Sequence, residues 1–191
     1  MRTTGLASLA FFYCDFRDDQ KKLLHGLISS LLVQLCGQSD AYYRVLSNFY
    51  ESHDNGEQQA CDTELFQCLK QVLELQGQST VYIVIDALDE CPAMTGLPSP
   101  REEVLELVKV LVELQIPTLR LCITSRPEAD IESVLTSLAF RSVSLHEEKG
   151  QAQDITEYIT FVVNSDPKIR AWRRADKELV IEVLTSKADG M

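Results

Sequence analysis

Three carboxylates and one arginine are the residues of this chain whose types and spacing suit chemistry. Asp86, Asp89 and Glu90 follow the apolar run Val81–Ile85, and Arg126 follows the apolar segment LRLCIT at 119–124. Mg²⁺ is a hard cation that takes oxygen ligands, so Asp86 could hold one directly or through water. Asp89 and Glu90 could orient or deprotonate a water that attacks a phosphoryl group. An arginine fork could stabilise γ-phosphate charge and report whether that phosphate is present. Acids after a strand can also simply solvate its end before Pro92, and Arg126 could cap Glu128 or the preceding turn. The combined pattern is therefore what carries weight, because short motifs taken singly match by chance.

These side chains need elements to position them. An unbroken apolar, mostly β-branched run predicts a parallel strand buried on both faces over 81–85. In open parallel sheets ligands bind beyond the carboxyl ends of the strands, where these acids fall. Upstream, LASLAFFY at 6–13 predicts a first strand. Leu23, Leu24, Leu27, Ile28, Leu31, Leu32 and Leu35 form a helical stripe, with Asp18 or Asp19 as its cap and Gly37 as its end. A shorter helix is expected at 41–50 and a polar loop at 52–59. Another helix, capped by Asp62, should carry Leu65, Phe66, Leu69, Val72 and Leu73.

Beyond the acids, 94–100 reads as a loop. Ser99, Pro100 and Glu102 start a helix: cap, proline at the first position, glutamate three after the cap. That helix should run to about Gln115. LRLCIT predicts a buried strand, 130–138 a short helix and 141–145 a last strand. Two helices follow, one on Ile155, Tyr158, Ile159 and Val162, the other on Leu179, Val180, Val183 and Leu184. Strands alternating with helices indicate an α/β fold with a mainly parallel sheet.

The segment IVIDALDEC, at least four apolar residues running into D-A-L-D-E, resembles the Walker B segment of NACHT-type NTPases. These form a signal-transducing branch (STAND) of the P-loop ATPases, and the wording is similar to fungal NLR-like members with a nephrocystin-like N-terminal domain. FYCDFRDDQK near the start and the closing KADGM resemble the same proteins. The resemblance implies that Asp86 serves Mg²⁺, that Asp89 and Glu90 serve hydrolysis, and that Arg126 in S-R-P is the sensor 1 arginine. It further implies ATP, or else GTP, as the nucleotide, and both self-association and protein partners in signalling. Such proteins carry an effector domain upstream and ankyrin, WD40 or TPR-type repeats downstream.

One expected motif is missing. The sequence contains no G-x-x-x-x-G-K-[ST], so the phosphate cradle, its lysine and its Mg²⁺-binding hydroxyl are absent from it. The expectation is a P-loop NTPase-type parallel sheet flanked by helices and lacking the P-loop strand, as in a truncated domain or a degenerate paralogue. Residues 1–150 would be the partial nucleotide-binding core and 151–191 the start of the helical region that follows it. In the related sheets the P-loop strand lies between the LRLCIT-type strand and the RSVSL-type strand. The alternative is a module that only binds other proteins and handles no nucleotide.

Composition bounds the partners. At 191 residues the chain is long enough for a sizeable core, and 45% hydrophobic with 25% charged residues is ordinary for a globular protein. A formal net charge of −11 argues against a nucleic-acid or anionic-membrane surface. No apolar run reaches membrane-span length and no signal-peptide layout opens the sequence, which suggests a cytoplasmic protein. The six cysteines lack metal-ligand spacing, and several sit in apolar runs, so they read as reduced core residues. His25, His53 and His146 share no motif and read as surface or structural. Lys168, Arg170, Arg173 and Arg174 around Trp172 read as a solvated helix face or a contact with a further domain.

Overall fold

A computed structural model describes residues 6–15, 17–18, 23–77, 79–93, 98–144 and 149–187. The chain divides into two compact units, Met1–Ala139 and Phe140–Met191. The first is α/β. Its elements are β1 (Ala7–Tyr13), α1 (Leu24–Cys36), α2 (Asp40–Ser52), α3 (Asp62–Glu74), β2 (Thr80–Asp86), α4 (Pro100–Glu113), β3 (Leu119–Ile123) and α5 (Ala129–Leu138). The second is a pair of packed helices, α6 (Lys149–Ser165) and α7 (Arg174–Lys187).

The sheet of the first unit has three parallel strands in the order β1-β2-β3. Parallel neighbours need crossovers, and the helices between the strands supply them. The strand bearing the acids is central: Tyr13 pairs with Asp86 on one side of it, and Ile85 with Ile123 on the other. Ala10, Phe12, Val81, Ile83 and Ile85 point into the core, with Leu27, Ile28, Leu31, Leu69, Val72, Val104 and Val108 from α1, α3 and α4.

The expectation that the β2 strand is buried on both faces needs correction. Its burial alternates, with Val81, Ile83 and Ile85 inside while Tyr82 is 44% exposed. Leu9, Phe11 and Tyr13 of β1, in register with Tyr82, Val84 and Asp86, are exposed on the same face. β-Branched and aromatic residues suit a pleated strand whether one or both faces are covered, so the unbroken apolar run could not decide between the two. β3 was likewise expected to be buried but is half exposed, and among the described residues it has a neighbouring strand on one side only. The strand expected at 141–145 is not formed over 141–144, which are exposed and irregular; residue 145 lies outside the described residues.

Helix starts show where local signals hold. Ser99 caps α4 by accepting from the Glu102 amide, while the Glu102 carboxylate accepts from the Ser99 amide at 2.8 Å, the expected reciprocal box. Two expected caps are displaced. α1 begins after Leu23, not at Asp18, and the alternative cap Asp19 lies outside the described residues. α3 has Cys61 rather than Asp62 at its cap position, because Glu64 turns back to accept from the Cys61 amide at 2.8 Å. Asp62 instead pairs with His25 of α1 at 2.8 Å. The loop expected at 94–100 is described only from Pro98 onward.

The edge of β1 away from β2 is sealed by side chains. Gln34 of α1 donates to the Phe11 carbonyl at 2.7 Å and accepts from its amide at 3.1 Å. One turn later Gln38 makes the same pair of bonds with Leu9, at 2.8 and 3.0 Å. Two carboxamides thus satisfy backbone groups that would otherwise form an exposed pairing edge.

Candidate functional site

The acids sit at the carboxyl end of the central strand because the chain turns sharply there. Ala87 adopts the left-handed conformation (φ 56°, ψ 48°), and Leu88–Glu90 follow as a single 3₁₀ turn. A left-handed alanine is disfavoured and persists only where its surroundings fix it. Here they do. Leu88 is fully buried, its amide donates to the Thr124 carbonyl at 3.0 Å, and the Ala87 amide donates to Thr124 Oγ1 at 3.1 Å.

The three carboxylates leave that turn in different situations. Asp86 Oδ1 accepts from the Thr124 hydroxyl at the end of β3. Asp89 Oδ1 accepts from the Arg126 amide at 3.0 Å, and its Oδ2 lies 3.5 Å from Arg126 Nε. The Asp89 side chain is only 9% exposed whereas that of Arg126 is 82% exposed, so the guanidinium reaches outward from an anchored base. Glu90 makes no side-chain hydrogen bond to a described residue, and its charge is felt by Arg17. Asp86, Asp89, Glu90 and Arg126 are therefore gathered at one sheet edge, as their positions after two adjacent parallel strands require.

Three further residues at this edge were not singled out from the sequence. Thr124 bridges the two strand ends. Arg17 is held over Asp15 by bonds of 3.0 and 3.2 Å, and its pKa is raised chiefly by Asp15 and also by the Glu90 charge. Arg101, on the first turn of α4, is buried at 5% exposure. Its Nε donates to the Cys91 carbonyl at 3.0 Å, Nη2 to the Asp89 carbonyl at 2.5 Å, and Nη1 to Asp130 at 3.1 Å and to Glu128. Burial alone would lower its pKa, but the bonds and charges of Glu128 and Asp130 outweigh burial and raise it. Asp130 responds in kind: burial pushes its pKa up, and Arg101 holds it below the usual range. One guanidinium thus ties the acidic turn to the segment that follows Arg126. An R-E-E triplet at a helix start gives no signal of this, since its partners lie on segments distant in sequence.

Cys14 follows β1 and Cys91 follows the 3₁₀ turn, and both are buried. The pKa of Cys14 is raised, chiefly by Cys91 and by burial, and that of Cys91 is lowered, chiefly by Cys14. Cys36 and Cys68 are buried as expected, but Cys61 and Cys122 are exposed.

Mg²⁺ is commonly held by one or two carboxylates together with substrate phosphates rather than by a full protein cage. The chemistry present matches that mode. Asp86 offers a carboxylate oxygen besides the one engaged by Thr124, and no group of three or more His, Cys, Asp or Glu forms a self-sufficient cage among the described residues. No described helix is long and apolar enough to cross a membrane.

Residues 1–126 match the family model described as Nephrocystin 3, N-terminal. The searches of curated proteins and of solved structures return no match.

Proposed function

The chain belongs to the nephrocystin 3 N-terminal family, and from that premise we propose that it carries the metal and γ-phosphate side of a NACHT-type nucleotide switch. The observation behind this is the convergence of Asp86, Asp89, Glu90 and Arg126 at the carboxyl ends of two adjacent parallel strands. Asp86 would hold Mg²⁺, which on binding supplies charge neutralisation for the β- and γ-phosphates of ATP or GTP. Glu90, unbonded among described residues, accepts a proton from an attacking water. Asp89, already engaged by Arg126, orients rather than accepts. Arg126 is exposed enough to leave Asp89 and meet a γ-phosphate, which couples phosphate state to the acidic turn. A phosphate-binding loop carried on a strand paired with the free edge of β3 would complete the site and support controlled self-association in signalling.

The test compares two chains by calorimetry and single-turnover hydrolysis. The 191-residue chain should not bind MgATP measurably, because backbone phosphate contacts come mainly from a loop motif its sequence lacks. A chain extended at residue 1 by a strand–GxxxxGK[ST]–helix segment should bind it. In the extended chain, Glu90→Gln should keep binding and slow hydrolysis about 100-fold. Asp86→Asn should weaken Mg²⁺-dependent binding, and Arg126→Ala should spare ADP while weakening ATP. Parental hydrolysis in Glu90→Gln, or equal losses of ATP and ADP in Arg126→Ala, would overturn the assignment.

A further inference from the structure

We infer that a groove between α1, α3 and α4 is a docking site for a cationic amphipathic helix of a partner protein. The groove holds about 620 Å³ and is open to solvent. Its floor is apolar: Leu24 and Ile28 lie one turn apart on α1, Leu107 and Val110 one turn apart on α4, and Phe66 comes from α3. Leu24, Phe66 and Val110 are only half-buried, so an occupant has apolar surface to cover. Four carboxylates line the same groove, Asp62 from the start of α3 and Glu102, Glu103 and Glu106 from the first turns of α4, and no described lysine or arginine does. Three of them have partners. Glu102 is engaged by the Ser99 amide at 2.8 Å, Asp62 pairs with His25 at 2.8 Å, and Glu106 pairs with Lys109 at 3.5 Å. Glu103 makes no hydrogen bond or ion pair to a described residue, and burial followed by the charge of Asp62 raises its pKa. A lysine or arginine brought to this point would relieve that crowding of like charge.

The layout selects the occupant. Small-molecule sites set a few varied polar groups among apolar walls to fix one orientation. Here the charged groups are all of one sign, beside an apolar floor, which is closer to the apolar centre and polar rim of a protein interface. A helix with apolar side chains at i, i+3, i+4 and i+7 fills such a floor from one face. Lysines and arginines flanking that face lay their stems along the apolar walls and bring their charges to the carboxylates. The net charge of −11 draws a cationic partner and repels an anionic one. The groove is separate from the sheet edge described above, since none of Asp86, Asp89, Glu90 and Arg126 lines it. It does include the first turn of α4, where Arg101 holds the Cys91 and Asp89 carbonyls, so the occupant would grip the helix that anchors the acidic turn.

The experiment titrates the 191-residue chain into three fluorescein-labelled helical peptides and reads anisotropy at physiological salt. Each peptide carries leucine at i, i+3, i+4 and i+7 spacing, and the remaining positions are lysine, glutamine or glutamate. The lysine peptide should bind saturably, the glutamine peptide about tenfold more weakly, and the glutamate peptide not at all. Glu103→Lys should weaken the lysine peptide by about tenfold or more. Val110→Gln keeps helix propensity but puts an amide in the floor, and should weaken it about fivefold. Glu132→Lys makes the same charge change on α5, outside the groove, and should leave affinity within about twofold. Hydrogen exchange on the parent chain, which needs no variant to fold, should show the lysine peptide slowing amides of α1, α3 and α4. The proposal is overturned if the three peptides bind alike, if none binds, or if Glu103→Lys and Glu132→Lys have equal effects. It also falls if the slowed amides lie elsewhere. If Glu103→Lys abolishes self-association of the chain but spares peptide binding, the occupant is a second copy and the proposal is wrong.

Discussion

Among the described residues Arg101 is the one buried charged side chain. A charged group at 5% exposure is tolerated because two backbone carbonyls and two carboxylates surround it. Glu128 and Asp130 are 41% and 49% exposed, so water screens much of their attraction and the carbonyl bonds carry more of the effect. Removing the guanidinium would leave the Cys91 and Asp89 carbonyls unpaired in the interior. Arg101→Met should therefore cost about 2–3 kcal/mol in denaturant unfolding. Arg174→Met removes only an exposed pair with Glu178 and should leave the curve unchanged. Equal, negligible effects of the two substitutions would show that the Arg101 network is not structural.

Edge protection belongs to the scale of elements. α1 not only crosses to the core but also, with the turn that follows it, sets Gln34 and Gln38 against the outer rail of β1. Replacing Gln34 and Gln38 with alanine keeps helix propensity and removes four bonds to a strand edge. Each exposed bond contributes about 0.5–1 kcal/mol, so a loss of a few kcal/mol is expected. The freed edge should also raise light scattering at rising concentration. If the double variant unfolds and scatters like the parent, the carboxamides do not guard the edge.

At the scale of the molecule, β3 is the edge at which no such guard is found among the described residues. The Thr124 amide bonds back to Ile85, so by alternation Arg120 and Cys122 pair with β2 while Leu121 and Ile123 face outward. The exposed sheet face bearing Leu9, Phe11, Tyr13 and Tyr82 adds apolar area nearby. The chain should therefore self-associate with concentration in sedimentation experiments. Leu121→Pro removes an outward amide, so it should reduce association and keep cooperative unfolding. Cys122→Pro breaks the ladder to β2 and should abolish the cooperative transition. Unchanged association in Leu121→Pro would exclude this edge as the route.

What the sequence determined by itself was whatever depends on neighbours along the chain. The helical stripe of α1, the Ser99–Pro100–Glu102 start of α4 and the strand that delivers Asp86 follow from local periodicity, capping and propensity. Two parallel strands ending in acids and in S-R-P were enough to bring Asp86, Asp89, Glu90 and Arg126 to one edge, because parallel strands share that end. The tertiary structure decided what depends on partners far along the chain. Whether β2 and β3 were covered on both sides could not be read from apolar runs, which look alike on a covered and an uncovered face. The left-handed turn at Ala87 rests on Thr124, and the buried charge of Arg101 on Glu128, Asp130 and two carbonyls. The segment 141–144, strand-like in composition, forms none, since a strand requires a neighbour to accept its backbone hydrogen bonds.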